Sequence, residues 1–223
     1  MRNSLKVLIA AFAIVALSAQ VYAADPSGAV VSGEDDFGEF DTPGAGTVTI
    51  ESGNITSAEL STNMSTYRWA GLKGNVTGSI VLGDDNNNTM YTWTTIGRNV
   101  YACNETIDWA TLANASVTDM PTALAATDSE ADRWNNTFTT GGTLDSELFS
   151  ITANRSTTNS GGATNWYTYS LKDGNGALVW AGDVEDGGTD YKGTTADFQM
   201  IIGEDGTSGD DTPETFYLWV ELA

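Results

Sequence analysis

The chain has no histidine in 223 residues, a single cysteine and four prolines, and it sets only nine basic side chains against 30 acidic ones. Without histidine there is no Ser-His-Asp or Cys-His nucleophile system and no His-ligated zinc or non-haem iron. With Cys103 alone, neither an intrachain disulfide nor a Cys-x-x-Cys-His haem attachment can form. No Gly-rich phosphate loop followed by Lys occurs either. The formal net charge of −21 argues against nucleic acid and anionic membranes as partners. Only carboxylates remain for catalysis, and Glu59, Glu147, Glu185 and Glu204 could in principle serve a two-carboxylate glycosidase. Their sequence contexts select no pair, and the chain reads as a protein that is not an enzyme.

Long apolar runs are missing too, apart from one at the start. Arg2 and Lys6 precede an apolar stretch from Val7 to Leu17, and Val21-Tyr22-Ala23 gives a small-residue cleavage site before Ala24. This pattern predicts a signal peptide over 1–23 and export of residues 24–223. No later stretch approaches the roughly 20 residues of a membrane-spanning helix, so no transmembrane segment is expected after cleavage. Loss of Arg2 and Lys6 takes the formal charge from −21 to −23.

What the chain has in excess is glycosylation acceptors. Asn-x-Ser/Thr sequons begin at Asn54, Asn63, Asn75, Asn87, Asn104, Asn114, Asn135 and Asn154, none with proline in the middle. Random placement of these residue types would give roughly 3. N-linked glycans are therefore expected partners, on a protein outside the cell.

Residues 24–45 form an acidic, Gly-rich lead with little to bury, which alone should be disordered. Val30, Val31, Phe37 and Phe40 nevertheless give it apolar handles suited to ordering on a neighbouring subunit. From Thr47 the pattern is β, and residues 46–223 read as one all-β domain of about ten strands. The fold class expected is a β-sandwich, jelly-roll or Greek-key like, with short helices at Asp108–Leu112 and Asp128–Trp134 in crossovers. The clearest hairpin runs from Trp166–Leu171 through Lys172-Asp173-Gly174-Asn175-Gly176 to Ala177–Trp180, its turn rich in residues that tolerate positive φ. A weak repeat suggests two related three-strand units. Trp69-Ala70-Gly71, Ile80–Asp85 and Thr89–Trp93 recur in order as Trp180-Ala181-Gly182, Met200–Asp205 and Thr215–Trp219.

Oxygen-rich loops supply the candidate metal ligands Asp84, Asp85, Asp183, Asp186, Asp190, Glu204, Asp205, Asp210 and Asp211, with Ca²⁺ as the candidate ion. None follows the spaced pattern of an EF-hand loop, and solvated turns would look the same. Cys103 is either a small buried hydrophobe or an intermolecular disulfide, and strand alternation places it on the face of Tyr101, opposite Ala102 and Asn104. Trp69, Trp93, Trp180 and Trp219 suit a core, and an exposed aromatic row would instead mark a sugar platform or subunit interface. In the last strand, Phe216, Leu218, Val220 and Leu222 face the core, which leaves Tyr217 and Trp219, beside Glu221, as the candidate contact.

Through Trp69-Ala70-Gly71-Leu72-Lys73-Gly74-Asn75-Val76-Thr77-Gly78 and Ile80-Val81-Leu82-Gly83-Asp84, the chain resembles secreted, sequon-rich archaeal cell-envelope proteins, including those that build extracellular filaments or sheaths. The resemblance implies a β-sandwich subunit that polymerises with itself through sheet-edge or donated-strand contacts, with 24–45 as the donor. No class III prepilin site with a long hydrophobic helix is present, so a type IV pilin is not expected. The rival expectation is a monomeric, Ca²⁺-dependent carbohydrate-binding or adhesion module.

Overall fold

The computed structural model describes residues 25–38, 43–95, 97–125, 130–204 and 213–222. The signal peptide, Phe40, Asp205, Asp210 and Asp211 lie outside them. Ten strands of six or more residues carry the fold, as the sequence predicts, together with four of two residues. In order they are β1 (Ser27–Gly28), β2 (Trp69–Gly74), β3 (Gly78–Gly83), β4 (Thr89–Thr95), β5 (Gly97–Cys103), β6 (Ala113–Asn114), β7 (Thr140–Asp145), β8 (Ser150–Thr158), β9 (Trp166–Lys172), β10 (Leu178–Asp183), β11 (Gly188–Thr189), β12 (Thr195–Ala196), β13 (Phe198–Gly203) and β14 (Tyr217–Leu222). Two short helices, α1 (Thr122–Ala125) and α2 (Trp134–Thr137), sit in the crossover between β6 and β7. A 3₁₀ turn at Trp109–Thr111 is capped by the Asp108 carboxylate, where the sequence predicts a short helix; the second helix begins at Trp134, the end of the predicted span.

The main sheet is antiparallel and runs β1-β14-β5-β10-β9-β8-β7, with β6 added on β9. Its middle strands are rich in β-branched and aromatic residues and are buried on both faces, a pattern that demands cover on each side. On one face the β2–β13 ribbon and the two helices enclose Val100, Ala102, Trp134, Phe138, Trp180 and Met200. Trp69 packs edge-on against Trp180 with ring centroids 5.7 Å apart and lies 5.4 Å from Phe138. Gly203 permits this layering, because a Cβ there would come within 2.6 Å of the Trp180 ring and 2.7 Å of Leu124. On the other face Tyr101, Cys103, Leu144, Tyr169, Leu171 and Val179 form a second core.

The sheet is rolled over this second core, and Glu221 clasps it. This carboxylate is buried, and it accepts hydrogen bonds from Asn99 Nδ2 (2.8 Å) and the Tyr101 hydroxyl (2.9 Å) on β5. From the turn after β7 it also accepts bonds from Ser146 Oγ (2.9 Å) and the Glu147 amide. Asn99 Nδ2 reaches the Asp145 carbonyl at 2.9 Å as well. The far end of the sheet thereby meets β5 and β14, and four donors compensate the loss of water around one carboxylate. The proximity of Glu221 raises the Tyr101 hydroxyl further above its ordinary pKa, after burial, which is the larger cause.

The β9–β10 hairpin forms as predicted, with Leu178 opposite Lys172 and Gly176 at φ 96°. Asp173 braces the turn from inside, accepting from the Asn175 and Ala177 amides through one oxygen and from Asp108 through the other. The repeat signatures fall on six strands, and their pairing does not repeat. β3 pairs with β4, whereas their counterparts β13 and β14 pair with β2 and with β5 and β1. The stretch Thr47–Ile50, predicted as a strand, forms none and is exposed.

Glu221→Ala would leave its four donors facing an apolar void, and should cost about 3 kcal/mol or more by urea unfolding. An unchanged midpoint would contradict the clasp.

Candidate assembly surface

The most unusual surface of the molecule is the β3–β4 hairpin. β4 ends at Thr95 and β5 begins at Gly97, and β4 lies beyond the last pairs that the two neighbours of β5 make with it. β14 makes its last pair at Leu222–Gly97, and β10 at Asp183–Asn99. The chain after β10 bonds once more, Val184 N to Arg98 O, and then turns away to Asp197. β3 takes up the β14 side of the extension, where a Cβ on Gly78 would lie 2.3 Å from the Leu222 side chain. The result is a two-stranded arm in which Thr89–Thr94 of β4 have no ladder partner on the β10 side among the described residues.

Every residue of this arm from Ser79 to Thr94 is exposed. The register sets Ile80 opposite Trp93 and Leu82 opposite Tyr91, so these four large apolar side chains share one face. Each is about half exposed, and the Tyr91 and Trp93 rings lie 4.7 Å apart, tilted by 52°. Val81 and Met90 are exposed on the opposite face. A two-stranded hairpin open on both faces is at best marginally stable in water. The two strands of the arm carry no charge, since none of residues 74–83 or 89–97 is Asp, Glu, Lys or Arg, and the charge of the arm is confined to Asp84 and Asp85 at its tip.

A second exposed apolar element is the segment 43–66, which forms no strand or helix and in which Val48, Ile50, Ile55, Leu60 and Met64 all face solvent. Before it, β1 pairs antiparallel with β14 of its own chain through Ser27–Val220 and Gly28–Trp219. Of the predicted interface residues, Val30 and Val31 are exposed, and Phe37 lies under Lys192, whose Nζ is 3.6 Å from its ring centroid. Tyr217 is exposed. Trp219 is half-buried against Trp109 at 5.8 Å, and Glu221, placed beside them on an outward face by alternation, is buried in the clasp. The rolled sheet covers both faces of β14, which alternation alone does not reveal. Trp93, grouped with the core by the repeat, is exposed on the arm.

The candidate metal ligands are not brought together. Among the described residues no group of three or more acidic or cysteine side chains could hold a metal ion. Asp84 turns its oxygens inward to the Asn86 and Asn88 amides and the Asn88 side chain, and the Asn88 bonds hold its pKa below the usual aspartate value. Asp85 accepts from Asn86 Nδ2, and Asp186 lies in the exposed turn before β11. Asp190 is fully enclosed and bonded by Lys73, Thr194 and the Lys192 amide. Burial pushes its pKa up, and these donors outweigh burial, so that it stays well below the ordinary value. Glu204 follows β13 and is half-buried, and Glu147 pairs with Arg98.

Cys103 is fully buried on the face of Tyr101, as alternation predicts, and burial raises its thiol pKa. In this fold it cannot reach a second chain. Six sequon asparagines are exposed, whereas Asn114 and Asn154 are half-buried on β6 and β8, with Asn114 Oδ1 accepting from the Asn154 amide at 2.8 Å. No helix of the described residues is long and apolar enough to cross a membrane. Comparison with known proteins returns no matching family, no matching curated protein and no matching solved structure.

Two measurements check these placements. Burial raises the Asp183 carboxyl to about 6 despite the nearby Arg155. The folded chain then binds more protons than the unfolded one between about pH 4 and pH 6, and stability falls as pH rises through that window. Asp183→Asn should raise stability at pH 7 by on the order of 2 kcal/mol, and the gain should vanish near pH 4. Cys103 should resist Ellman's reagent in the native protein and react in urea; rapid native labelling would contradict its burial.

Proposed function

We propose that this chain is a secreted, glycosylated structural protein that assembles with copies of itself into an extracellular filament, sheath or surface layer, like the envelope proteins it resembles. The observation that carries the reading is the arm, whose apolar faces are exposed on a chain otherwise covered in negative charge. A like-charged pair of mature molecules at −23 each repels, and contact costs least where both surfaces are uncharged. The strands of the arm form such a surface. Exposed sequons at Asn75 and Asn87 bracket it, and no acceptor asparagine falls between them, so sugars at its base and tip leave its length clear. Strand addition is already part of the fold, since β1 completes the edge of β14; the same pairing made between chains would link subunits.

The second reading, an adhesion module, draws on the exposed Tyr91 and Trp93 rings, which could stack on a sugar. Their neighbours on the same face are Ile80 and Leu82, which offer no hydrogen bonds to hydroxyl groups, and this favours a protein partner.

Negative-stain microscopy and sedimentation of the mature glycosylated protein, with and without Ca²⁺ and chelator, test the proposal. Ordered polymers are the expected result, and loss of polymers in chelator would assign a bridging role to the acidic loops. Monomers that persist at high protein and salt concentration, and that bind a glycan saturably, would overturn it.

A further inference from the structure

We infer that the partner of the arm is the segment Thr47–Ile50 of a second copy, which pairs along the open edge of Thr89–Thr94 in β4 and makes the arm three-stranded. This rests on the self-assembly reading and names its junction. One chain holds two incomplete halves of one structure. Among the described residues, the arm has an unpaired edge over Thr89–Thr94 and an apolar face that a third strand would stabilise. The segment Thr47-Val48-Thr49-Ile50 has the alternation and β-branching of a strand, yet it is exposed and has no ladder partner among the described residues. Residues 42–50 carry no charge, as residues 89–97 of the arm carry none, so the pairing brings no two carboxylates together. Val48 and Ile50, one residue apart, would both join one face of the arm, and the exposed Ile55, Leu60 and Met64 that follow supply apolar side chains to close over it. A strand given by each copy and received by the next makes a head-to-tail contact, which propagates into a filament unless its rotation closes a ring.

The test uses the full mature chain with two sets of substitutions at exposed positions. Val48→Asp with Ile50→Asp disables the segment, and Leu82→Asp with Trp93→Asp disables the arm. Unchanged urea unfolding of the body checks that each variant folds. In sedimentation velocity, wild type should polymerise and each variant should remain monomeric, whereas their equimolar mixture should give a species of twice the monomer mass, because one junction per pair is intact. Polymerisation of the segment variant like wild type would overturn this junction and leave self-assembly standing. Monomers in the mixture would overturn it in favour of pairing within one chain. A wild type that never assembles would overturn both readings.

Discussion

The rolled main sheet depends on one buried carboxylate. Glu221 is the second-to-last residue of β14, and its four hydrogen bonds tie that strand to β5 and to the turn after β7. Antiparallel pairing alone would leave the sheet open, with the Tyr101, Leu171 and Val179 face in water. Closing it produces two cores, one inside the roll and one beneath the β2–β13 ribbon. The price is a desolvated charge with no ion-pair partner among the described residues, which only full hydrogen bonding offsets.

Charge decides what the arm can be used for. Thirty acidic side chains keep copies apart over most of the surface, and salt or a divalent cation weakens this repulsion without giving it direction. Direction comes from the uncharged strands of the arm and the uncharged stretch 42–50. On the body, the few basic residues are committed internally: Arg68 to Glu130 and Asp132, Lys73 to Asp190, Lys172 to Asp119. The Lys172 bond holds the Asp119 carboxyl down at about 2. Apolar exposure is concentrated on the arm and on the segment 43–66, both free of the ion pairs that organise the body. A self-association surface built this way is selective, because a contact made through other faces of the body would bring the carboxylates of two copies together.

Local signals were readable where local chemistry decides the outcome. The β9–β10 hairpin follows from Asp173, Asn175 and Gly176, the Asp108 cap from its position before an apolar turn, and the face of Cys103 from simple alternation. The all-β class followed from residue types, with ten longer strands as expected. What failed was long-range. Tyr217, Trp219 and Glu221 share a face by alternation, and nothing nearby says that the turn after β7 will cover Glu221 and that Trp109 will pack on Trp219. The repeat signatures mark six strands correctly and mislead about pairing, because strand neighbours are chosen by register and burial across the whole sheet. Thr47–Ile50 was read as a strand from its residues alone, and it lacks a partner within the chain. The oxygen-rich loops looked like ligand sets, yet the Asp84 and Asp190 oxygens serve their own turns. The arm itself was visible as two β segments, but its exposure was not, since Trp93 read like core.

The central claim is that the arm is buried between copies. Hydrogen–deuterium exchange of the assembled protein against its dilute monomer tests it most directly. The account predicts that amides of β4 and of Thr47–Ile50, fast in the monomer, become strongly protected on assembly, while those of β9 and β10 are slow in both states. Polymers in which the arm and the segment exchange as fast as in the monomer would contradict it.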